Sequence, residues 1–479
     1  MDPVFAFPLH LPGPGSRQLL RALHGQLRAA ILDGRLRPGQ RLPSSRAVAQ
    51  AYAISRNTAV AVYDLLLSEG YLRTRRASGV YVADEQAAAA PAGESERAAL
   101  AQRHLAARWR DAIDGTAIVG GGVFRLGVPE LSLFPFDVWR RLGARALRQF
   151  ARLPADYAPA QGREALLHAV AQHVAFARAV ACRADDLVIT SGAQQAFDLL
   201  ARVLVTPGRT AVAVEEPGYP PLRTAFAAAG ATLVPVGVDG EGLQVELLPR
   251  DLRVICVTPS HQFPLACAMS ARRRAELLQF ARSRDAVVIE DDYDGEFRYA
   301  ERPLDALQTL DRGERVFYVG TFSKSLFPGL RLGYVVAPAW ARAALIRAKQ
   351  ASDSHSDVLA QDTLAAFIAE GHLARHVRRM QAVYAQRRVA LLHGLQRQFG
   401  GLLEPLPSLA GLHLAAGVVA GAAVPAWVTR ADGDPARPAT LRRFQSEDGG
   451  RAGLVFGFGV ADAAAIGPAL AQLRHAWNG

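Results

Sequence analysis

Lysine is almost absent from this sequence. Lysine and arginine together number 55 in 479 residues, yet only Lys324 and Lys349 are lysines. A genome-wide composition bias would account for the excess of arginine, but it would not account for a lysine that remains. Only the lysine amine readily loses its proton and acts as a nucleophile, whereas a guanidinium stays protonated. Lys324, in the stretch GTFSK, is therefore the first candidate for chemistry.

Cysteine and long apolar runs are also scarce. The three cysteines show no metal-ligand spacing and are too few for a disulfide framework, so we predict no metal site and expect a reducing, cytoplasmic location. No cationic segment followed by an apolar core opens the chain, which argues against a secretory signal. The most apolar stretch, residues 411–428, contains a His and a Pro and is predicted to form a buried strand and loop rather than a membrane span.

Positive charge is concentrated at one end of the chain. The formal net charge is +11, and residues 1–83 contain eleven arginines against four acidic residues. A local basic excess favours an acidic partner such as nucleic acid, and a general surplus of arginine is the alternative.

The first 83 residues show the order of a winged helix-turn-helix. Leu20, Leu23, Leu27 and Ile31 have helical spacing, a Pro/Gly turn follows, and Ser44 and Ser55 each precede a further helical pattern. The stretch YLRTRRASGVYVA then predicts two short strands around a basic turn. We therefore predict a DNA-binding domain at residues 1–83 and a linker at 84–121.

Residues 122–479 are predicted to form the main domain. Five apolar runs rich in β-branched residues alternate with helical patterns between residues 186 and 324. This alternation predicts an α/β fold with a mostly parallel sheet covered by helices on both faces. A small α+β part is predicted to follow at the C-terminal end.

The helix-turn-helix predicts particular contacts with double-stranded DNA. Residues at the N-terminal end of the second helix reach base edges, while hydroxyls and cations hold phosphates. The candidates are Ser44, Arg46, Ser55, Arg56, Asn57, Thr58 and, in the wing, Arg75 and Arg76. The alternative is that the serines only cap helices and the arginines are merely solvated. The segment GRLRPGQRLPSSRAVAQAYAISRNTAVAVYDLLLSEGYL closely resembles the GntR-type winged helix.

Lys324 follows a predicted buried strand and is surrounded by groups suited to a phosphate. A lysine amine forms a Schiff base with an aldehyde. Thr321 and Ser323, together with Arg331, could bind a phosphate beside it. For an isolated lysine, a surface position in a turn would be the simpler interpretation.

Companion motifs lie at the ends of the other strands, where ligands bind in open α/β sheets. Asp291 suits a protonated pyridine nitrogen, and Tyr293, two residues later, would point to the same side. Gly192 begins a helix whose first amides, at Ala193 and Gln194, could meet a phosphate. Tyr219 could stack on a ring, and His261 or Gln262 could bond a ring oxygen.

Taken together, residues 122–475 resemble a fold type I, pyridoxal 5′-phosphate-dependent aminotransferase. With the GntR-type head, the whole chain is similar to the MocR/GabR family of bacterial transcriptional regulators, on the stretches EDDYDGEFRY, GTFSKSLFPGLRLGY and HVRRMQAVYAQRR. The resemblance implies an internal aldimine at Lys324, ring contacts from Asp291 and Tyr293, and phosphate contacts from Arg331. It also implies a homodimer in which Tyr157 reaches the neighbouring subunit's cofactor.

Two departures from the aminotransferase pattern bear on function. Aminotransferases usually bind the substrate carboxylate with an arginine in the C-terminal region, and the matching position in this sequence is Val455. Family members that sense γ-aminobutyrate are expected to have an arginine two residues after the tyrosine that corresponds to Tyr219, and this sequence has Pro221 there. We therefore predict a regulator that senses pyridoxal phosphate, an amine or an amino acid through Lys324. An active aminotransferase with an accessory DNA-binding head is the alternative, and a cofactor-holding scaffold is a third hypothesis.

Overall fold

The protein divides into two compact units, Met1–Arg110 and Asp111–Gly479. The computed structural model describes residues 4–13, 16, 18–75, 79–84, 94–106, 109, 122–152, 154, 156–299, 305–431, 434, 436–446 and 450–478. The predicted linker, 84–121, falls largely outside this part, but residues within it form helix α4, Glu94–His104. The boundaries drawn from the sequence at 83/84 and 121/122 stay predictions.

In the described part of the N-terminal unit, three helices precede a two-stranded antiparallel ribbon, and α4 follows it. The helices are α1 Leu19–Leu32, α2 Ser45–Ala51 and α3 Arg56–Ser68, and the strands are β1 Leu72–Arg75 and β2 Gly79–Val82. Leu23 and Leu27 lie in its core as the spacing predicted, but Leu19 is buried while Leu20 is 38% exposed. The core face of α1 is thus offset by one residue at its first turn.

An eight-stranded sheet forms the centre of the larger unit. Its strands are β3 Leu187–Thr190, β4 Ala211–Glu216, β5 Thr232–Asp239, β6 Gly242–Leu243, β7 Val254–Val257, β8 Val287–Asp292, β9 Val316–Thr321 and β10 Gly333–Val336. The order is β3-β10-β9-β8-β7-β4-β5-β6. β10 runs antiparallel to both of its neighbours and β6 runs antiparallel to β5, while the other pairs are parallel.

This topology brings five strand ends to one edge of the sheet. β3 has the same direction as β9 because each pairs antiparallel with β10. The carboxyl ends of β3, β4, β7, β8 and β9 therefore meet at a single edge, where each is followed by one of the motifs identified in the sequence. The mostly parallel sheet was predicted; the antiparallel β10 was not, because its four residues, GYVV, are equally apolar in either direction.

Helices cover both faces of the sheet, and a second sheet completes the unit. The helices are α5 Phe136–Phe150, α6 Glu164–Arg178, α7 Ala193–Leu204, α8 Pro220–Ala228, α9 Ala271–Ser283, α10 Leu307–Leu310, α11 Ala339–Asp353, α12 Val358–Ala369, α13 His372–Phe399 and α14 Ala463–Asn478. The second sheet is antiparallel, in the order β11-β12-β14-β13. Its strands are β11 Leu403–Pro405, β12 His413–Val418, β13 Ala439–Thr440 and β14 Gly453–Gly457.

The apolar stretch 411–428 contains β12, which is buried along most of its length. Among the described residues, no helix combines the length and the apolar character needed to cross a membrane.

Candidate functional site

A cavity of about 620 Å³ lies at the edge where the five strands end. Most of the residues that the sequence singled out line it together: Ala193, Gln194, Tyr219, Asp291, Tyr293, Thr321, Ser323, Lys324 and Arg331. They come from segments spread over about 140 residues of chain and meet because the parallel strands share one edge.

Lys324 lies just beyond β9 with its amine inside this cavity. Its Nζ donates to the carbonyl oxygen of Gly127 at 2.7 Å. Burial lowers the pKa of Lys324, and the nearby carboxylates of Asp294 and Asp291 oppose that effect. A lysine with a lowered pKa presents more of its neutral, nucleophilic amine at neutral pH.

Alternation along β8 separates two acidic side chains that are adjacent in sequence. Asp292 points away from the cavity and accepts from Arg178 at 2.6 Å and from Tyr318 at 2.5 Å. Asp291 points into the cavity, and its Oδ1 is buried with no hydrogen-bond partner. Burial, with Asp292 and Asp294 nearby, raises the pKa of Asp291 well above its ordinary value. An unpartnered buried carboxyl at this position fits a cationic ring nitrogen, as pyridoxal phosphate would present.

The other end of the cavity is suited to a phosphate. Gly192, with φ +80°, precedes α7, and a Cβ added there would lie 3.1 Å from a guanidinium nitrogen of Arg331. Arg331 also donates to the carbonyl oxygen of Ser191 at 2.7 Å. Helix N-terminal amides, a guanidinium and the hydroxyls of Thr321 and Ser323 together form a typical anion site. The residues present thus fit both ends of the cofactor.

The histidine predicted to bond a ring oxygen lies behind Tyr293 and does not line the cavity. His261 Nδ1 is 2.9 Å from the Tyr293 hydroxyl and 3.0 Å from Asp294 Oδ2. A proton on Nδ1 would be shared by these two acceptors, leaving the Tyr293 proton free to point into the cavity. Burial raises the pKa of Tyr293 well above its ordinary value, which keeps the hydroxyl a donor.

Gln262, the other residue considered for a ring oxygen, bonds elsewhere. Its amide nitrogen donates to the carbonyl oxygens of Pro217 and Phe263 and lies 3.3 Å from Glu215. Glu215 is buried, and burial raises its pKa to about 7. His413, to which the sequence assigned no role, does line the cavity, and burial lowers its pKa well below the ordinary value.

The other two tyrosines predicted to contact the cofactor, Tyr219 and Tyr157, lie in different surroundings. Tyr219 lines the cavity, with its ring 5.5 Å from Phe263. Tyr157 is 82% exposed and does not line the cavity. Its assignment to a partner subunit's cofactor stays a prediction.

Val455 contributes to an apolar wall, at the position that aligned with a carboxylate-binding arginine. It is fully buried in a cluster with Leu126, Phe263, Ala415, Leu441 and Phe444. Arg451, four residues earlier, lines a different cavity and lies 4.0 Å from Glu404. The wall therefore offers no guanidinium to a carboxylate at this position.

The N-terminal unit presents its predicted DNA-binding residues at two helix starts. Ser44 Oγ accepts from Ala47 N at 3.2 Å, and Ser55 Oγ accepts from Thr58 N at 3.0 Å, so both serines cap helices. Arg46, Arg56 and Asn57 are exposed. Since the caps are occupied by backbone amides, the serines position these helices, and the exposed side chains remain available for contact.

Local contacts hold α3 to the turn before α2 and hold the two strands of the ribbon together. Tyr63 of α3 donates to the carbonyl oxygen of Pro43 at 2.8 Å. In the ribbon, the Arg75 guanidinium lies 4.8 Å from the centre of the Tyr81 ring. Arg76 lies outside the described residues.

The sequence analysis missed several residues that line the cavity, among them Arg125, Gly127 and Asp294. Gly127 meets Lys324 across 197 positions of chain, and no local pattern signals that contact. Asp294 belongs to the acidic string EDDYD. Strand alternation would place it on the side of Asp292, away from the cavity, but β8 ends at Asp292 and the chain beyond it brings Asp294 to the cavity.

Comparison with known proteins assigns both parts of the chain. Residues 19–82 match the family of bacterial regulatory proteins of the gntR type, and residues 122–417 match the aminotransferase class I and II family. The probable rhizopine catabolism regulatory protein MocR of Rhizobium meliloti is 39% identical over 83% of this chain and 81% of its own length. The pyridoxine biosynthesis transcriptional regulator PdxR of Corynebacterium glutamicum is 31% identical over 94% of both chains.

Among solved structures, the α-aminoadipate aminotransferase LysN of Thermus thermophilus is 28% identical, with a TM-score of 0.65 over 80% of this chain and 96% of its own. The similarity to PdxR extends over nearly the whole chain, and thus over both matched domains. The chain therefore belongs to the MocR/GabR family, in which a GntR-type winged helix precedes a fold type I aminotransferase-like domain.

Proposed function

We propose that this protein is a transcription regulator that binds promoter DNA through its winged helix and senses a small molecule through a pyridoxal phosphate site at Lys324. The observation that carries the proposal is the cavity in which Lys324, Asp291 and Arg331 meet, in a chain that also has a DNA-binding unit. When bound, pyridoxal phosphate supplies an aldehyde that amines attack reversibly.

Each side chain has a distinct part in holding the cofactor. Lys324 supplies the amine for covalent attachment, Asp291 holds the ring nitrogen in its protonated form, and Tyr293 donates to the 3′ oxygen. Arg331, Thr321, Ser323 and the amides of Ala193 and Gln194 hold the phosphate, while Tyr219 stacks on the ring. His261 does not touch the cofactor and instead orients the hydroxyl of Tyr293. These assignments rest on the distances and burial given above together with the family's pattern.

Sensing requires a ligand whose amine can take the place of the Lys324 amine in the site. The Lys324 side chain would then be free, and the Gly127 carbonyl oxygen, which lies 2.7 Å from Nζ in this structure, would accept a hydrogen bond from it. Only a ligand with different affinity for two conformations can shift the balance between them. The absence of a guanidinium at Val455 favours sensing over turnover, because a substrate carboxylate would lack the anchor that aminotransferases provide at this position.

On the DNA side, Arg56 and Asn57 of α3 are assigned to base edges, while Arg46, Arg75 and Arg76 are assigned to phosphates. A homodimer, in which Tyr157 reaches the partner's cofactor, would present two such heads to paired half-sites. The dimer and the operator spacing are part of the proposal.

The experiment uses the full-length protein, pyridoxal phosphate and the DNA upstream of its own gene. Borohydride trapping followed by peptide mass spectrometry should place the cofactor on Lys324, and Lys324→Ala should abolish trapping while retaining DNA binding. Arg56→Ala should weaken specific DNA binding by about tenfold or more, since one bidentate base contact contributes ~1–3 kcal/mol. Arg21→Ala removes an exposed arginine from α1 and is the matched control, expected to cost much less.

Two outcomes would refute the proposal. One is a wild-type protein that transaminates amino acids rapidly and does not bind its upstream DNA. That result would favour an active aminotransferase whose DNA-binding head is only an accessory. The other is trapping that persists in Lys324→Ala.

A further inference from the structure

The second of the two lysines is buried beside the phosphate end of the same cavity. Lys349, on α11, has 0% of its surface exposed. Its Nζ donates to both carboxylate oxygens of Asp353, at 2.6 and 2.7 Å, and to Ser356 Oγ at 3.1 Å. All three ammonium protons are thus used, and a buried cation with this set of partners is fully satisfied.

One route leads from Lys349 to the backbone of the turn that precedes α7. Asp353 Oδ2 also accepts from Gln195 Nε2 at 2.8 Å. The oxygen of that same amide, Gln195 Oε1, accepts from the backbone nitrogen of Ser191 at 2.7 Å. The ammonium therefore orients a carboxylate, which orients an amide, which holds the turn.

A second route reaches the same turn through hydroxyl groups. Ser356, which accepts from Lys349, has its Oγ 3.4 Å from Ser191 Oγ. On its other side, the carbonyl oxygen of Ser191 accepts from Arg331 at 2.7 Å. Ser191 is thus held at its nitrogen, its hydroxyl and its carbonyl. The next residue, Gly192, precedes the amides of Ala193 and Gln194 that are assigned to the phosphate.

We propose that Lys349 is a positioning residue for the phosphate of pyridoxal phosphate, acting through Asp353, Gln195 and Ser356 to fix the Ser191–Gly192 turn. This inference rests on the proposed function, because it concerns how that cofactor is held. Lys349 does not line the cavity, so it would act on the phosphate without touching it.

The geometry also explains why arginine does not replace lysine here. The three partners surround a single nitrogen at 2.6–3.1 Å, as a compact ammonium with tetrahedral donors requires. A guanidinium is planar and larger, and at a position with no exposed surface it would have to displace Asp353 or Ser356. Both lysines in the chain therefore serve one site, Lys324 at the aldehyde end and Lys349 behind the phosphate end.

The test compares pyridoxal phosphate with pyridoxal, which has the aldehyde and ring but lacks the phosphate. In Lys349→Met, the dissociation constant for pyridoxal phosphate should rise roughly tenfold to a hundredfold, as for a lost buried charge-assisted network. The constant for pyridoxal should change less than twofold. Lys349→Arg should behave like Lys349→Met. Arg347→Gln removes an exposed cation from the same helix and should change neither constant.

A second, less disruptive variant keeps the inference testable if Lys349→Met does not fold. Ser356→Ala breaks only the hydroxyl route, and it should weaken pyridoxal phosphate binding several-fold while leaving pyridoxal binding unchanged. Thermal melting of each cofactor-free variant reports its folding.

The outcomes separate this inference from the function on which it rests. If wild-type protein fails to bind pyridoxal phosphate at Lys324, the proposed function falls and the inference with it. If wild type binds and Lys349→Met binds equally well, or loses both ligands equally, only the inference is overturned.

Discussion

Asp291→Asn is expected to change cofactor-free and cofactor-bound protein in opposite directions. The substitution keeps the shape of the side chain and removes its charge. In the free protein, Asp291 is buried with Oδ1 unpartnered and with Asp292 and Asp294 close by, so its pKa is raised well above 3.8. The charged form is therefore costly until a cation arrives, and the asparagine avoids that cost.

The sign of the pH effect follows from the direction of this shift. The folded protein keeps the Asp291 proton at pH values where the unfolded chain has already lost it. The contribution of this group to stability is present below the ordinary pKa and is lost as pH rises through the folded-state pKa. Within that window, wild-type protein should lose about 1.4 kcal/mol per pH unit relative to Asp291→Asn. At pH 7 the cofactor-free variant should melt higher.

With pyridoxal phosphate bound, the order should reverse. A hydrogen bond between charged groups contributes about 1.5–3 kcal/mol, so the variant should bind the cofactor about tenfold to a hundredfold more weakly. Melting curves with and without cofactor, from pH 5 to 8, together with an absorbance titration, measure both effects. Equal cofactor affinity would show that Asp291 does not face a ring nitrogen. A cofactor-free variant that melts lower at every pH would show that the Asp291 carboxylate does not destabilise the free protein.

Three further predictions concern other parts of the molecule. Ser55→Ala removes the cap from Thr58 N and should destabilise α3 by about 1 kcal/mol, seen as faster amide exchange in that helix, with Ser68→Ala near the helix end as control. Because burial raises the pKa of Glu215, the stability of the wild-type protein should fall by about 3 kcal/mol between pH 4.5 and about 7. Glu215→Gln should abolish this fall, and a variant with the same pH profile as wild type would contradict the prediction. Val455→Arg should lower stability by about 3 kcal/mol or more, since the apolar wall offers no acidic partner; a variant that melts normally and gains transaminase activity would disprove the assignment of that wall.

The residues of the site that lie at or near the end of a strand of the main sheet could be predicted from the sequence. Lys324, Asp291 and Arg331 belong to short motifs whose residue types indicate their chemistry. The parallel sheet then brings these motifs together at one edge. The side of β8 on which Asp291 and Tyr293 lie followed from simple alternation along a strand.

What could not be predicted depends on contacts between distant parts of the chain. The conformation of a loop decides whether His261 hydrogen-bonds to a ligand or to Asp294. A histidine is chemically suited to both partners, so the sequence does not distinguish them. Lys349 pairs locally with Asp353, but its link to Ser191 joins residues from two helices and a turn far apart in sequence. The buried cluster around Val455 likewise draws on four separate segments.

The burial of Lys349 also has a consequence for selectivity. Free pyridoxal phosphate is an indiscriminate aldehyde that reacts with accessible lysines on most protein surfaces. Here the only other ε-amine is fully buried and hydrogen-bonded to a carboxylate and a hydroxyl. The exterior therefore offers this aldehyde no competing lysine, and pyridoxal phosphate bound to lysine should report occupancy of this one cavity.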